Sequence, residues 1–378
     1  MTDASPLAKP ARAGLFSDGV DVGRLLLEGR AFFALIVIII VFSILSPYYF
    51  SVSNFLTMAS HVAIFGILAV GMLLVILNGG IDLSVGSTLG LSGVIAGFLM
   101  QGVQLPFLGV ALFPPVWVVV VLACALGACV GLINGVLIAR FKVPAFVATL
   151  GVMYMVRGVA LLMTNGLTYN NLGGKPELGN TGFDWLGFNR FLGAPIGVLV
   201  LAVIAIMGSL MLNRSAFGRW LYASGGNERA AELSGVPVKT VQVTVYLLSG
   251  VCAAISGLIL SSELTSAGPT AGTSYELTAI AAVVIGGAAL TGGRGNIRGT
   301  MLGAFVIGFL SDGLVIIGIS SYWQTVFTGA VIVLAVLLNA VQYRRRVKRP
   351  SATDGPPTSP QAGGKAQATY PAHEKTAG

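Results

Sequence analysis

NRSAFGRWLYASGGNERAAELSGVPVKT, residues 213–240, lies between two long apolar runs and carries Arg214, Arg219, Glu228, Arg229, Glu232 and Lys239. Its centre reads as a short, well-punctuated helix. Ser224 or Asn227 can cap the first turn with a side-chain oxygen, and Glu228 then sits at the positive end of the helix dipole. Gly235 supplies a left-handed stop and Pro237 prevents continuation. A helix of about two turns is marginal by itself. The segment therefore reads as a docking element, held by a partner surface, on a chain that is otherwise embedded in a membrane.

The rest of the composition demands that embedding. The 378 residues are 55% hydrophobic and 10% charged, with mean hydropathy +0.87. A soluble domain carries about 25% charge, so most of this chain faces lipid or other apolar helices. The 51 glycines suit membrane helices that pack backbone to backbone. Cys124, Cys129 and Cys252 fall inside apolar runs, without the spacing of a zinc site, and read as buried thiols. Only His61 and His373 are present, which leaves a histidine-based metal or catalytic cluster unsupported.

A membrane span takes about 20 apolar residues. That ruler marks ten candidates, roughly 31–48, 54–77, 84–101, 107–139, 145–163, 194–212, 242–261, 277–291, 298–318 and 322–342. The fold expected is an all-α integral membrane protein of about ten helices with one short cytoplasmic coupling helix. Residues 1–30 form an N-terminal tail and 31–343 the membrane domain. The tail 344–378 begins RRRVKRP, suited to anionic lipid headgroups, and continues as a Pro-, Gly-, Ala-, Thr- and Ser-rich stretch expected to be disordered. No small-residue cleavage site follows the first apolar run, so it reads as an anchor.

Threading the spans places Arg24, Arg30, Arg140, Lys142, Arg214, Arg219, Arg229, Lys239, Arg294, Arg298 and the 344–349 cluster on one side, against Lys175 and Arg190 on the other. The bias of basic residues puts both termini and 213–240 in the cytoplasm. Net charge +8 is thereby explained by topology and not by nucleic acid. The span 277–291 is short, about 22 Å as a helix against a core of about 30 Å, and irregular backbone (262–276) precedes it. Such a half-helix belongs where it is buried or borders a wet path.

Three constellations are candidates for pathway or gate. NGGIDLSVGS, 78–87, offers Asn78, Asp82 and Ser84 in a glycine turn that opens the next helix; the plainer reading is a capped membrane turn. TGGRGNIRGT, 291–300, is a second glycine turn, whose Arg294 and Arg298 either hold phosphate or anchor the inner face. Arg157 and Asp312 are charges deep in spans at similar depth. They either pair in one wet cavity or snorkel separately. A nucleotide-binding loop is missing: the Gly-Lys steps are Gly174-Lys175-Pro176 and Gly364-Lys365-Ala366, neither in a strand–helix context. The run of buried carboxylates that a proton-coupled carrier would use is also missing.

GGIDLSVGS (79–87), VPAFVATLGVMYMVRGVALL (143–162), GRWLYASGGNERAAELSGV (218–236) and YELTAIAAVVIGGAALTGGRGNIRGTMLGAFVIG (275–308) together resemble the permease subunit of ribose-, xylose- and arabinose-type ABC importers, over residues 30–342. The resemblance implies a ten-helix permease of the bacterial cytoplasmic membrane, paired with a second copy or close homologue, without enzymatic chemistry of its own. It implies a cytoplasmic ABC ATPase, which holds ATP and Mg and grips the loop of Asn227, Glu228, Arg229, Glu232, Leu233 and Gly235. It implies an extracytoplasmic sugar-binding protein that delivers a monosaccharide or polyol. The same architecture moving nucleosides or branched-chain amino acids is the near alternative, and a self-sufficient secondary carrier the distant one. At Asp312, where related permeases often have Asn, the chain departs from the pattern.

Overall fold

Backbone polar groups placed in hydrocarbon must bond within their own segment, which makes helices of the apolar runs. The computed structural model describes residues 29–105, 109–320, 322–331, 333, 334 and 337. The tails 1–28 and 344–378 and the end of the 322–342 run lie outside the described residues.

In chain order the elements are α1 (Arg30–Leu45), α2 (Val52–Leu77), α3 (Val85–Gln101), a hairpin of β1 (Val103–Leu105) and β2 (Val110–Leu112), α4 (Val116–Ala139) and α5 (Ala145–Thr164). Then come β3 (Tyr169–Asn170), α6 (Trp185–Phe188), β4 (Arg190–Phe191), β5 (Ala194–Pro195), α7 (Ile196–Arg214), α8 (Ala216–Gly226), α9 (Glu228–Leu233), α10 (Val238–Glu263), β6 (Ser266–Ala267), α11 (Tyr275–Ile285) and α12 (Ile297–Ile316). Residues 322–331 are again helical. Among the described residues six helices, α2, α4, α5, α7, α10 and α12, are long and apolar enough to cross a membrane, and α1, α3 and α11 are shorter apolar helices.

Two expectations sharpen. The 107–139 run, too long for one upright span, lies partly outside its helix. Gly102, at φ 96°, ends α3, and a short hairpin follows it. Pro115 then stands at the N-cap of α4, where its missing N–H costs nothing. The short helix expected at the centre of 213–240 is α9, and a second helix, α8, precedes it. Ser215 caps α8, its Oγ accepting from the Gly218 N–H, and Asn227 breaks the chain before capping α9.

The core is built on α2 and α10. The apolar window of α2 is 83% buried and that of α10 61%, against 28% for α4, α5 and α7. The first pair is therefore wrapped by protein while the other three present a broad face outward. The α4–α10 seam shows what the glycines do. Gly127, Gly131 and Gly135 recur every fourth residue on one face of α4. A Cβ at Gly127 would collide with the Gly250 carbonyl, and one at Gly131 with the Tyr246 carbonyl. Backbones this close gain dispersion contacts that larger side chains would forbid. The cysteines follow their helices: Cys252 is buried, Cys124 partly so, and Cys129, against expectation, faces outward from α4.

Contacts between connections define the two ends of the bundle. At one end β3 pairs antiparallel with β6, Tyr169 opposite Ala267, and the Gly187 N–H donates to Ser262 Oγ at 2.7 Å. At the other the Gly293 N–H donates to the Leu77 carbonyl at 2.9 Å, and Tyr222 Oη to the Gly295 carbonyl at 2.7 Å. This second end collects Arg140, Lys142, Arg214, Arg219, Arg229, Lys239, Arg294 and Arg298 and is called the basic end below.

Candidate functional site

At the basic end, α9 projects from the bundle. Asn227 Oδ1 accepts from the Ala230 N–H at 3.0 Å, so Asn227, and not Ser224, is the cap. Ser224 instead donates to the Trp220 and Leu221 carbonyls inside α8. Glu228 stands in the first turn of α9, Gly235 at φ 82° turns the chain out of it, and Pro237 starts the approach to α10. From Gly226 to Gly235 every residue is exposed except Ala231. Leu233 is 81% exposed, an apolar tip that the bundle leaves uncovered. Glu228 Oε1 lies 3.3 Å from Lys142 Nζ, which ties α9 to the 140–144 connection.

What α9 stands on is a stack of three glycine turns. A Cβ at Gly225 would collide with the Leu77 carbonyl. One at Gly292 would meet the Gly225 carbonyl at 2.6 Å and the Gly79 backbone at 3.0 Å. Gly79 and Gly292 both have positive φ, so these turns need glycine for conformation as well as space. The turn after α2, the end of α8 and the α11–α12 connection thus touch backbone to backbone. Asn78 Oδ1 lies 3.4 Å from Ser224 Oγ on the same contact. The two glycine-rich sequences that read as separate turns are the bearing on which α8 and α9 rest.

One layer inward, 81–84 forms a buried polar knot. Asp82 Oδ1 accepts from the Ser84 N–H at 3.0 Å and Ser84 Oγ at 2.7 Å, and Oδ2 from Ser249 Oγ of α10 at 3.0 Å. Asn134 Nδ2 of α4 donates to Ser84 Oγ at 2.8 Å, and Thr149 Oγ1 of α5 to the Ile81 carbonyl at 3.2 Å. The loop is laced to three helices. Asp82 and Ser84 are each only 1% exposed, which is the geometry of a capped turn rather than of an open path. Burial pushes the Asp82 carboxyl above the usual carboxylate range, against the pull of the bonds from Ser84 and Ser249.

Arg157 and Asp312 do not pair. Arg157 Nη1 donates to the carbonyls of Pro269 and Ala271, at 2.6 and 2.8 Å, and so pins the irregular segment before α11 onto α5. Asp312 Oδ1 lies 2.8 Å from His61 Nδ1, and His61 Nε2 lies 3.6 Å from Glu263 Oε1. Of the two readings open for these charges, pairing fails and each finds its own partner, because the irregular backbone offers Arg157 carbonyls and α2 offers Asp312 an imidazole. Neither His61, which has no second histidine nearby for a metal or catalytic cluster, nor Glu263 is among the pathway candidates by sequence. A lone titratable residue inside the otherwise apolar α2 was the available signal. Among the described residues no cluster fit to hold a metal ion occurs. The half-length helix is as expected. α11 has 11 residues, about 16 Å of rise, and starts from Ser274 in the left-handed region.

A family described as the branched-chain amino acid transport system permease component matches residues 54–336. The chain belongs to that family. The ribose import permease protein RbsC of Escherichia coli (strain K12) is 43% identical over 314 residues, covering 83% of this chain and 94% of that protein. RbsC of Bacillus subtilis (strain 168) is 44% identical over 309 residues, 82% of this chain and 91% of that protein. The xylose transport system permease protein XylH of Escherichia coli (strain K12) is 34% identical over 351 residues, 79% of this chain and 87% of that protein. No solved structure matches. The matched region contains the glycine-turn stack, α9 and the buried knot, so a multi-pass membrane permease is what these elements serve.

Proposed function

We propose that the chain is the membrane-spanning permease subunit of an ATP-driven ABC importer that moves a monosaccharide, ribose or a related sugar, into the cell. The observation that carries this is identity of 41–44% to ribose import permeases over more than 90% of their length. In this reading the nine apolar helices and the helical run from 322 are ten spans, and the basic end faces the cytoplasm by the bias of basic residues. The exposed α9, with Glu228, Arg229, Glu232 and Leu233, is the coupling helix gripped by a separate ATPase subunit. That subunit binds ATP and Mg, and a sugar-binding protein and a second permease copy complete the importer.

The mechanism is mechanical. ATP binding draws the two ATPase subunits together and carries α8 and α9 as one body. Their base is rigid backbone on backbone, so displacement passes through Gly225 to the end of α2 and to the α11–α12 connection. The helices then rock between inward-open and outward-open states, as a packed bundle with two arrangements can. The half-helix α11 and the segment held by Arg157 border the path. The path itself need only be wet and weakly binding.

Co-reconstitution with the cognate ATPase and binding protein should give ATP-dependent ribose uptake. The chain alone should give none; uptake by the chain alone down an ion gradient would overturn the importer. Branched-chain amino acids are the second reading, favoured by the family description. Leucine uptake in place of sugar by the same assembly would select it.

A further inference from the structure

Between the end of α7 and the start of α12, at the basic end, lies a pocket of about 570 Å³ lined by Leu210, Asn213, Arg214, Asn296, Ile297 and Arg298 among others. No acidic residue lines it. Arg214 and Arg298 come from two different helices, and neither guanidinium makes an ion pair or hydrogen bond among the described residues. Both side chains are exposed, so water screens their repulsion, and an anion seated between them would be drawn to both.

The backbone adds to the same field. α12 has 20 residues, and its N-terminus opens on the pocket. Asn296 Oδ1 caps the Gly299 N–H at 2.7 Å and its carbonyl accepts from Thr300 N–H, which leaves the N–H groups of Ile297 and Arg298 without intrahelical partners. A planar guanidinium is suited to two oxygens of a phosphate, and two from opposite walls suit its remaining oxygens.

The pocket also has a direction. Arg214 is the last residue of a membrane-length helix and Arg298 the second of another, so the cavity sits where apolar helix meets water. Above it, Val203, Ile206, Met207 and Leu210 are each more than half exposed and share one face of α7. That stripe begins at the pocket wall, since Leu210 belongs to both. A free phosphate would have no use for it, whereas an acyl chain would lie along it.

We propose that this pocket binds the phosphate of an anionic phospholipid headgroup, with the acyl chains on the α7 stripe. The lipid clamps α7, which leads into α8 and α9, to α12, which follows the glycine turn of 286–296 on which they rest. Anionic lipid then acts as a strut between the coupling segment's entry and its seat.

The test is native mass spectrometry of the purified full-length chain, titrated with phosphatidylglycerol, with phosphatidylcholine, and with inorganic phosphate. Phosphatidylglycerol should bind the wild type roughly thirtyfold more tightly than the Arg214→Gln/Arg298→Gln double variant, two basic contacts being lost. Arg214→Lys/Arg298→Lys keeps the charge but loses the paired contacts and should fall between the two, and phosphatidylcholine should bind the wild type and the glutamine variant equally weakly. Equal affinity of the wild type and the glutamine variant for phosphatidylglycerol would overturn the site, as two arginines that only fix topology would give. Inorganic phosphate displacing the lipid at equal concentration would overturn the lipid as occupant in favour of a free anion. None of these readouts involves sugar uptake, so the result stands apart from the transport reading.

Discussion

His61 Nδ1 lies 2.8 Å from Asp312 Oδ1, a contact that joins α2 to α12 across 251 positions of sequence. Asp312 is 14% exposed and its second oxygen, Oδ2, is buried without a partner. The imidazole is therefore the one hydrogen-bonding group that this carboxyl has among the described residues. Replacing His61 with Ala should destabilise the protein by about 1–3 kcal/mol, the cost of leaving a buried polar group unmet. Asp312→Asn keeps an acceptor for His61 and should lose under half as much. Thermal unfolding in detergent orders the two variants; Asp312→Asn losing more than His61→Ala would show that charge, not the hydrogen bond, holds the helices.

Gly225 and Gly226 are neighbours with opposite surroundings. A Cβ at Gly225 would overlap the Leu77 carbonyl oxygen, whereas one at Gly226 meets nothing within 4 Å. Gly225→Ala must push α8 off the end of α2, and should cost about 1–3 kcal/mol and most of the transport. Gly226→Ala should stay within about 0.5 kcal/mol of the wild type. Unfolding temperature and ATP-dependent uptake measured on both variants check the bearing. A harmless Gly225→Ala would mean that α8 and α9 are not seated on those turns.

The tip of α9 predicts a separation of folding from coupling. Glu228, Arg229, Glu232 and Leu233 are all exposed, and the Lys142–Glu228 pair is solvated on both sides and is worth at most about 1 kcal/mol. Reversing the charges of Glu228 and Glu232 together, or replacing Leu233 with Asp, should leave the unfolding temperature unchanged. In the proposed function the same variants should weaken ATPase capture by a factor of about ten or more, since a like-charge mismatch in an interface costs several kcal/mol. Pull-down of the ATPase subunit by wild-type and variant chains measures it; undiminished capture would remove α9 from the interface.

Arg157 holds two carbonyls that would otherwise lack partners. Arg157→Gln should free the segment 265–274 without unfolding α5, because the glutamine amide stops two bonds short of the Nη1 position that reaches both oxygens. Hydrogen exchange should rise in 265–274 and remain as before in 145–164, with a loss of about 1–3 kcal/mol. Arg157→Lys, with one compact cation, should fall between the two. Exchange spread evenly along α5 would show instead that the arginine supports its own helix.

Much of this was legible in the chain. The apolar runs gave the helices because spanning segments satisfy their own backbone, and Gly235 and Pro237 marked the exit from α9. The short 277–291 run announced α11. Three things were not legible. The point inside 107–139 where the helix begins was hidden, because hydropathy averages across a hairpin of apolar residues. The Arg157–Asp312 pairing rested on similar depth, yet depth says nothing of the angle around a helix, and that angle sends each to a different neighbour. The glycine-turn stack could not be seen at all. Backbone contacts between Gly79, Gly225 and Gly292 leave no trace in side-chain pattern, because what identifies them is the side chain they lack.

Asp82 gives a dependence on pH whose direction is fixed by burial. Its carboxyl is held above its ordinary range in the folded chain, so between the unfolded value, about 4, and the raised folded value the native state binds the extra proton. Stability then falls as pH rises across that window and levels off beyond it, once the carboxylate is charged in both states. Asp82→Asn is nearly isosteric and carries no charge to bury. Its amide oxygen can keep the Ser84 bonds, and its amide can donate to Ser249 Oγ, which now donates to Asp82. Unfolding temperatures from pH 4 upward should therefore decline in the wild type and decline less in Asp82→Asn, which should be the more stable of the two at neutral pH. An Asp82→Asn variant that is less stable at pH 7, with an unchanged slope, would mean that the knot around 81–84 needs the carboxylate itself.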